Sequence, residues 1–235
     1  MKRVLIIGGG SGMGLALAEL LLSGGSQVTI AGRSSDRLAG AAARLAGLAT
    51  VQADITSEDQ VKRLLAEVGE LDHIVVTAAD AVGAYAPVAD FDLGPARAIL
   101  DTKVLGPWLV AKHAGPYLAP GASITFTSGI AAYRPGPGAS MIATANGALE
   151  ALARSLALEL APVRVNVVSP GWVDTAIWTT IAGAAKEARL TAMAERLPVG
   201  RVGRPSDIAE AFLAVMGNGF ITGTVLHIDG GHRLV

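Results

Sequence analysis

A chain of 235 residues with 51% hydrophobic and 17% charged residues carries enough apolar material for one large core and is no disordered chain. Its net charge of −1, with no basic run, argues against a nucleic-acid partner, and no stretch approaches the ~18 consecutive apolar residues of a membrane span. Cysteine is absent, which excludes a disulfide, a thiolate nucleophile and a sulfur metal site; the four histidines match no ligand spacing, so no metal is expected.

Met1-Lys2-Arg3 leads directly into the apolar run Val4-Leu5-Ile6-Ile7. That run is too short for the core of a signal peptide and is interrupted by glycines, so a cytoplasmic protein with no membrane partner is expected. Further short, branched apolar runs at Val28–Ala31, Ala49–Gln52, Ile74–Thr77, Ser123–Thr127, Arg164–Val168 and Val225–Ile228 read as strands. Segments 12–23, 35–46, 57–68, 92–114, 139–161 and 205–216 read as helices between them. Start signals stand at Ser57 with Gln60, and at Pro205-Ser206 before Asp207. Strand–helix alternation of this kind implies right-handed crossovers and one doubly wound α/β domain: a seven-stranded, mainly parallel sheet with helices on both faces. The stretch 174–197 interrupts the alternation and is expected to be a partly helical substrate lid.

The first strand ends in Gly8-Gly9-Gly10-Ser11-Gly12-Met13-Gly14 and a helix follows at once. Gly8 permits the tight turn, Gly12 lets backbone approach a pyrophosphate, and Gly14 lets the helix pack on the strand. The helix start then offers free N–H groups and a partial positive charge to phosphate, with Ser11 and Met13 in the same loop. The strand–glycine–helix context marks a dinucleotide phosphate cradle.

The glycine spacing is G-x-x-x-G-x-G. With Asp54-Ile55 after the third strand, Ser169-Pro170-Gly171-Trp172-Val173-Asp174-Thr175 after the sixth, and Ile221-Thr222-Gly223 to Asp229-Gly230-Gly231 at the end, the chain resembles the short-chain dehydrogenase/reductase family over essentially its whole length. The resemblance implies a Rossmann fold. It also implies that Asp54 and Ile55 contact the adenine, that Ala78 lies beside the ribose, and that Pro170, Gly171, Val173 and Thr175 hold the nicotinamide end. The family's Asn-Asn-Ala-Gly turn is Thr77-Ala78-Ala79-Asp80 here.

Cofactor choice is read at the end of the second strand. An NAD site usually has an acid there, whereas this chain has Gly32-Arg33-Ser34-Ser35. A guanidinium matches a 2′-phosphate by forked, charge-assisted hydrogen bonds, so NADP(H) is favoured, with NAD(H) as the alternative.

Members of the family it resembles reduce carbonyls with a serine, a tyrosine and a lysine, and an asparagine completes a proton relay. No Y-x-x-x-K occurs here: four residues beyond the three tyrosines stand Ala89, Gly121 and Pro137. Anchored on Ser128, the pair falls on Met141 and Ala145; anchored on Gly147-Ala148-Leu149-Glu150-Ala151-Leu152, it falls on Ile142 and Asn146. Lys103 stands where the family has its asparagine. The expectation is that Lys103 polarises or protonates a carbonyl oxygen, with Ser128 orienting the substrate and Asn146 positioning a water. Tyr133 is an alternative acid.

Three functions remain open: an NADP(H)-dependent oxidoreductase acting on a small carbonyl, alcohol or imine; an NADP(H)-binding sensor or scaffold; and a non-redox enzyme for elimination or isomerisation. The apolar helices 92–114 and 139–161 resemble the family's oligomer faces, which implies a homodimer or homotetramer.

Overall fold

A computed structural model describes residues 2–79 and 83–235. Met1 and residues 80–82 lie outside the described residues, so the Thr77-Ala78-Ala79-Asp80 turn is described only as far as Ala79. Seven strands form one sheet: β1 (Arg3–Ile7), β2 (Gln27–Gly32), β3 (Ala49–Gln52), β4 (Leu71–Val76), β5 (Leu118–Thr127), β6 (Arg164–Pro170) and β7 (Val225–Ile228). Their order is β3-β2-β1-β4-β5-β6-β7 and every pairing is parallel. Chain direction across the sheet reverses between β1 and β4, which opens a crevice at their carboxyl ends.

Alternation along β1 divides the core. Leu5 and Ile7 join Leu65, Val110, Phe126 and Leu149 on one face, under α3 (Glu58–Val68), α5 (Gly106–Ala114) and α6 (Ser140–Glu159). Val4 and Ile6 join Leu17, Ile30 and Phe212 on the other, under α1 (Gly12–Ser23), α2 (Ser35–Arg44) and α9 (Pro205–Gly217). Burial of both faces explains the near-continuous apolar strands. Arg164 opens β6 but is itself buried. Its guanidinium donates to the Val215, Met216 and Ile221 carbonyls at 3.0, 2.8 and 3.0 Å, satisfying acceptors at the end of α9.

Three expectations are adjusted. The sequence predicts one helix over 92–114; the structure has α4 (Leu93–Leu100), a π-helical turn over Asp101–Leu105, and then α5. Pro107 is the reason: it lacks the N–H that would bond the Lys103 carbonyl four residues back, and its ring would crowd that carbonyl. Ser57 precedes α3 without a side-chain capping bond, because Gln60 Oε1 instead accepts from the Asp54 N–H at 3.0 Å. Strands β4 and β5 begin earlier than their apolar runs indicate, at Leu71 and Leu118. Polar residues sit inside the ladder, where buried His73 pairs its Nδ1 with Ser123 Oγ at 2.8 Å.

Helix α9 starts at Pro205, as its start signal predicts, and Asp207 accepts from the Arg204 N–H at 2.6 Å. Segment 174–197 contains α7 (Ile177–Ala182) and α8 (Lys186–Arg196), joined by a short 3₁₀ turn. No described helix is long and apolar enough to cross a membrane.

Candidate functional site

The crevice at the carboxyl ends of β1 and β4 holds the glycine loop. A cleft of about 600 Å³ is lined there by Gly8, Ser11, Gly12, Met13 and Gly14, by Arg33 and Ser34, by Asp54 and Ile55, and by Ala78 and Thr175. Eleven of the sequence-predicted cofactor positions thus share one cleft. The glycines are required by contact. Gly8 has φ +94°, and a Cβ on it would stand 2.6 Å from the Ala78 nitrogen. On Gly14 a Cβ would stand 2.7 Å from the Gly8 carbonyl oxygen. The helix therefore starts hard against the strand end, with its N–H groups directed into the cleft. This backbone cradle fits the pyrophosphate of a dinucleotide.

A Cβ at Gly32 would meet nothing within 4 Å, so the end of β2 leaves open space beside Arg33. Gln52 Nε2 donates to the Arg33 carbonyl at 2.9 Å and fixes that turn. Ser34 caps α2, accepting from the Arg37 N–H at 3.3 Å. Sequence reasoning missed Arg37, which lines the same cleft. Its signal was its place one helical turn beyond Arg33. Asp54 accepts from the Thr56 N–H and hydroxyl at 2.9 and 2.8 Å, which sets the turn after β3.

Met13, Thr77, Ala79, Thr175 and Ile177 line this cleft and also a larger cavity of about 1080 Å³. The remaining predicted cofactor positions, Pro170, Gly171 and Val173, line the larger cavity, as do Lys103, Ser128 and Asn146. The three candidate catalytic residues come from the π-helical turn, the end of β5 and α6. Ile142 lines the cavity with Asn146, whereas Ala145 is buried in a cluster with Ala84 and Ile99. The helix-anchored register is therefore the one whose positions face the cavity.

Lys103 is 5% exposed, and its Nζ reaches the Ser128 carbonyl at 3.4 Å. Burial lowers its pKa to about 8, while the Glu150 carboxylate acts in the opposite sense. Ser128 Oγ donates to Glu150 Oε1 at 2.7 Å, and the Tyr133 hydroxyl donates to Glu150 Oε2. Burial, and then that bond to Glu150, push the Tyr133 phenol up to about 12. Its proton is committed to the carboxylate, which makes Tyr133 a poor acid. Asn146 Nδ2 donates to the Gly129 carbonyl at 3.3 Å, and its buried Oδ1 has no partner. An unpartnered buried acceptor beside a cavity is a place for a ligand or water donor. Sequence reasoning missed the role of Glu150; its signal was a carboxylate one turn beyond Asn146 on an otherwise apolar helix face.

The comparisons with known proteins agree with this geometry. The family model described as enoyl-(acyl carrier protein) reductase matches residues 8–233. The short-chain dehydrogenase/reductase malC of Malbranchea aurantiaca is 38% identical, with 99% of this chain and 95% of that protein covered. A cis-4-hydroxycyclohexanecarboxylate dehydrogenase of Sinomonas cyclohexanicum is 35% identical over 100% of this chain and 98% of its own. Among solved structures, a small-chain dehydrogenase in complex with NADPH superposes with a TM-score of 0.87 at 34% identity, covering 100% and 99% of the two chains. The MalC reductase/Diels-Alderase of Malbranchea aurantiaca reaches 0.92 at 36% identity, covering 100% and 97%. This chain belongs to the short-chain dehydrogenase/reductase family. It is an oxidoreductase of that family by fold and by sequence.

Proposed function

We propose that this protein is an NADP(H)-dependent reductase of a carbonyl or imine group whose proton donor is Lys103. The observation that carries the reading is the Lys103 amine itself, buried at the wall of a cavity that is continuous with the glycine-loop cleft. When bound, NADPH supplies hydride. Gly8, Gly12 and Gly14 accommodate its pyrophosphate, and Arg33 with Ser34 and Arg37 meets a 2′-phosphate. The similarity to a dehydrogenase in complex with NADPH supports that choice of cofactor.

Lysine and asparagine stand in exchanged places relative to the family pattern, Lys103 for asparagine and Asn146 for lysine. Ser128 and Tyr133 donate their hydrogen bonds to Glu150 and so are not free to donate to a substrate oxygen. Lys103 remains as the cationic donor at that wall. An amine with a pKa of about 8 holds its proton at neutral pH and releases it more readily than an exposed lysine. Its ammonium donates to the carbonyl oxygen or imine nitrogen, and the Asn146 Oδ1 accepts from a substrate N–H or a water.

The test is NADPH oxidation over a panel of ketones, aldehydes and cyclic imines. Lys103→Met is expected to lower turnover by ~10²–10⁴-fold with NADPH affinity unchanged. Reduction should slow as pH rises through about 8, where the ammonium is lost, and that limb should vanish in the variant. Wild-type turnover in Lys103→Met would overturn the reading. Hydride transfer absent from single-turnover trials on the whole panel would favour an NADP(H)-binding sensor or scaffold.

A second reading is a non-redox cycloaddition or isomerisation in the same cavity, favoured by the 36% identity to the MalC reductase/Diels-Alderase. It predicts conversion of substrate with no net NADPH consumption.

A further inference from the structure

Among the described residues, the charged side chains that line the larger cavity are all cationic. Lys103, Arg134, Arg189 and Arg196 line it, and among the described residues no aspartate or glutamate does, although the chain as a whole carries a net charge of −1. Arg189 and Arg196 come from α8, and Arg134 reaches the last residue of the chain. Arg189 and Arg196 are seven residues apart and so share one face of α8. Neither has a hydrogen bond or ion pair within the described residues. Arg134 is held by the Val235 main-chain oxygen.

His232 lines the same cavity. It is 6% exposed, and its buried Nδ1 has no partner. Burial first, and then the Arg196 and Arg134 cations, hold its imidazole below the usual histidine range, and both arginines line the same cavity. Asp229, the acid acting on His232, is already committed to Arg233 at 2.8 Å. Along the neighbouring wall the Trp172 and Trp178 rings stand 4.2 Å apart, and Trp178 Nε1 is fixed by the Val173 carbonyl at 2.9 Å. The wall is apolar and aromatic; the part that carries the arginines is cationic and short of acceptors.

We propose that this part of the cavity is an anion subsite: the substrate carries a carboxylate or phosphate group held by Arg189, Arg196 and His232, while its apolar body lies along Trp172 and Trp178. The proposal rests on reading this cavity as the substrate cavity. Forked guanidinium groups and a buried imidazole suit an oxyacid anion, and no aspartate or glutamate among the described lining residues opposes one there. The subsite also gives the α7–α8 segment a function, because α8 brings two of the three anion-binding side chains.

The test reads binding without turnover. Anilinonaphthalene sulfonate and N-phenylnaphthylamine differ by one anionic group, and both can be titrated by fluorescence into the full-length protein. The sulfonate is expected to bind at least about tenfold tighter. The double variant Arg189→Gln, Arg196→Gln should lose that advantage without weakening the uncharged dye. Arg189→Lys, Arg196→Lys should keep part of it. Both arginines are exposed, so the fold tolerates these changes. Naphthoate and naphthyl phosphate then compete for the sulfonate site; displacement by either supports the proposal and shows which anion is preferred. Equal binding of the two dyes, equal loss of both in the glutamine variant, or displacement by neither competitor would overturn it. Lys103→Met tests the reductase reading separately, because it should lower turnover while leaving the dye advantage in place.

Discussion

Arg33, Ser34 and Arg37 line the glycine-loop cleft, and the proposed recognition of a 2′-phosphate rests on these side chains. Arg33→Ala should weaken NADPH by roughly 10–100-fold while changing NADH by less than about threefold, because only the phosphate offers the guanidinium a charged, forked acceptor. Calorimetric titration of both cofactors checks this, and equal weakening would sink the assignment. Lys103 poses the opposite problem, a cation kept away from water. Its folded pKa of about 8 lies below the 10.5 of an exposed lysine, so the unfolded chain binds the proton more tightly. The ammonium therefore costs stability at neutral pH, and the cost fades as pH rises from about 8 towards 10.5. This is why Lys103→Met separates catalysis from folding: the variant removes a desolvated charge and fills the same volume with an apolar chain.

At the scale of elements, the π-helical turn over Asp101–Leu105 determines where Lys103 stands. Pro107 denies the Lys103 carbonyl its helical partner, and the chain widens by one residue before α5 resumes. Pro107→Ala restores the N–H and lets a regular helix form through this segment. Each residue in a regular helix is turned ~100° from the last, so the loss of the extra residue swings Lys103 away from the cavity. The expected result is a fall in turnover of about tenfold or more with a melting temperature no lower than wild type, since a proline inside a helix is itself unfavourable. Unchanged turnover would show that the bulge does not position the amine. Here the sequence was only half legible. Helical periodicity over 92–114 was plain, but a proline allows a kink, a break or a bulge, and the packing of α4 and α6 around the turn selects among them.

For the whole molecule, the helices on one face of the sheet leave large apolar side chains uncovered: Leu93, Leu105, Trp108 and Leu158 are 62, 51, 41 and 83% exposed. Carried by α4, α5 and α6 and the turn between α4 and α5, they suit a face between copies of this chain. Sedimentation velocity should give a dimer or tetramer, and Leu105→Lys with Leu158→Lys should shift it towards monomer without loss of secondary structure. A wild-type monomer at micromolar concentration would remove this interface.

The sequence alone determined the strands, the glycine cradle and the cofactor end, because these depend on local requirements: short branched runs for a sheet buried on both faces, and glycine where a Cβ would stand 2.6 Å from Ala78 or 2.7 Å from Gly8. It also showed the want of a tyrosine–lysine pair and placed Lys103 and Asn146 as candidates. Only the tertiary structure decided which of these groups share a cavity and which hydrogen-bond one another. Glu150 accepts hydrogen bonds from Ser128 and Tyr133, residues 22 and 17 positions away. Arg134, Arg189, Arg196 and His232 meet around one cavity although nearly a hundred residues separate the first from the last. Charge, burial and hydrogen-bond direction depend on neighbours brought together by the sheet, and no local pattern in the chain encodes them.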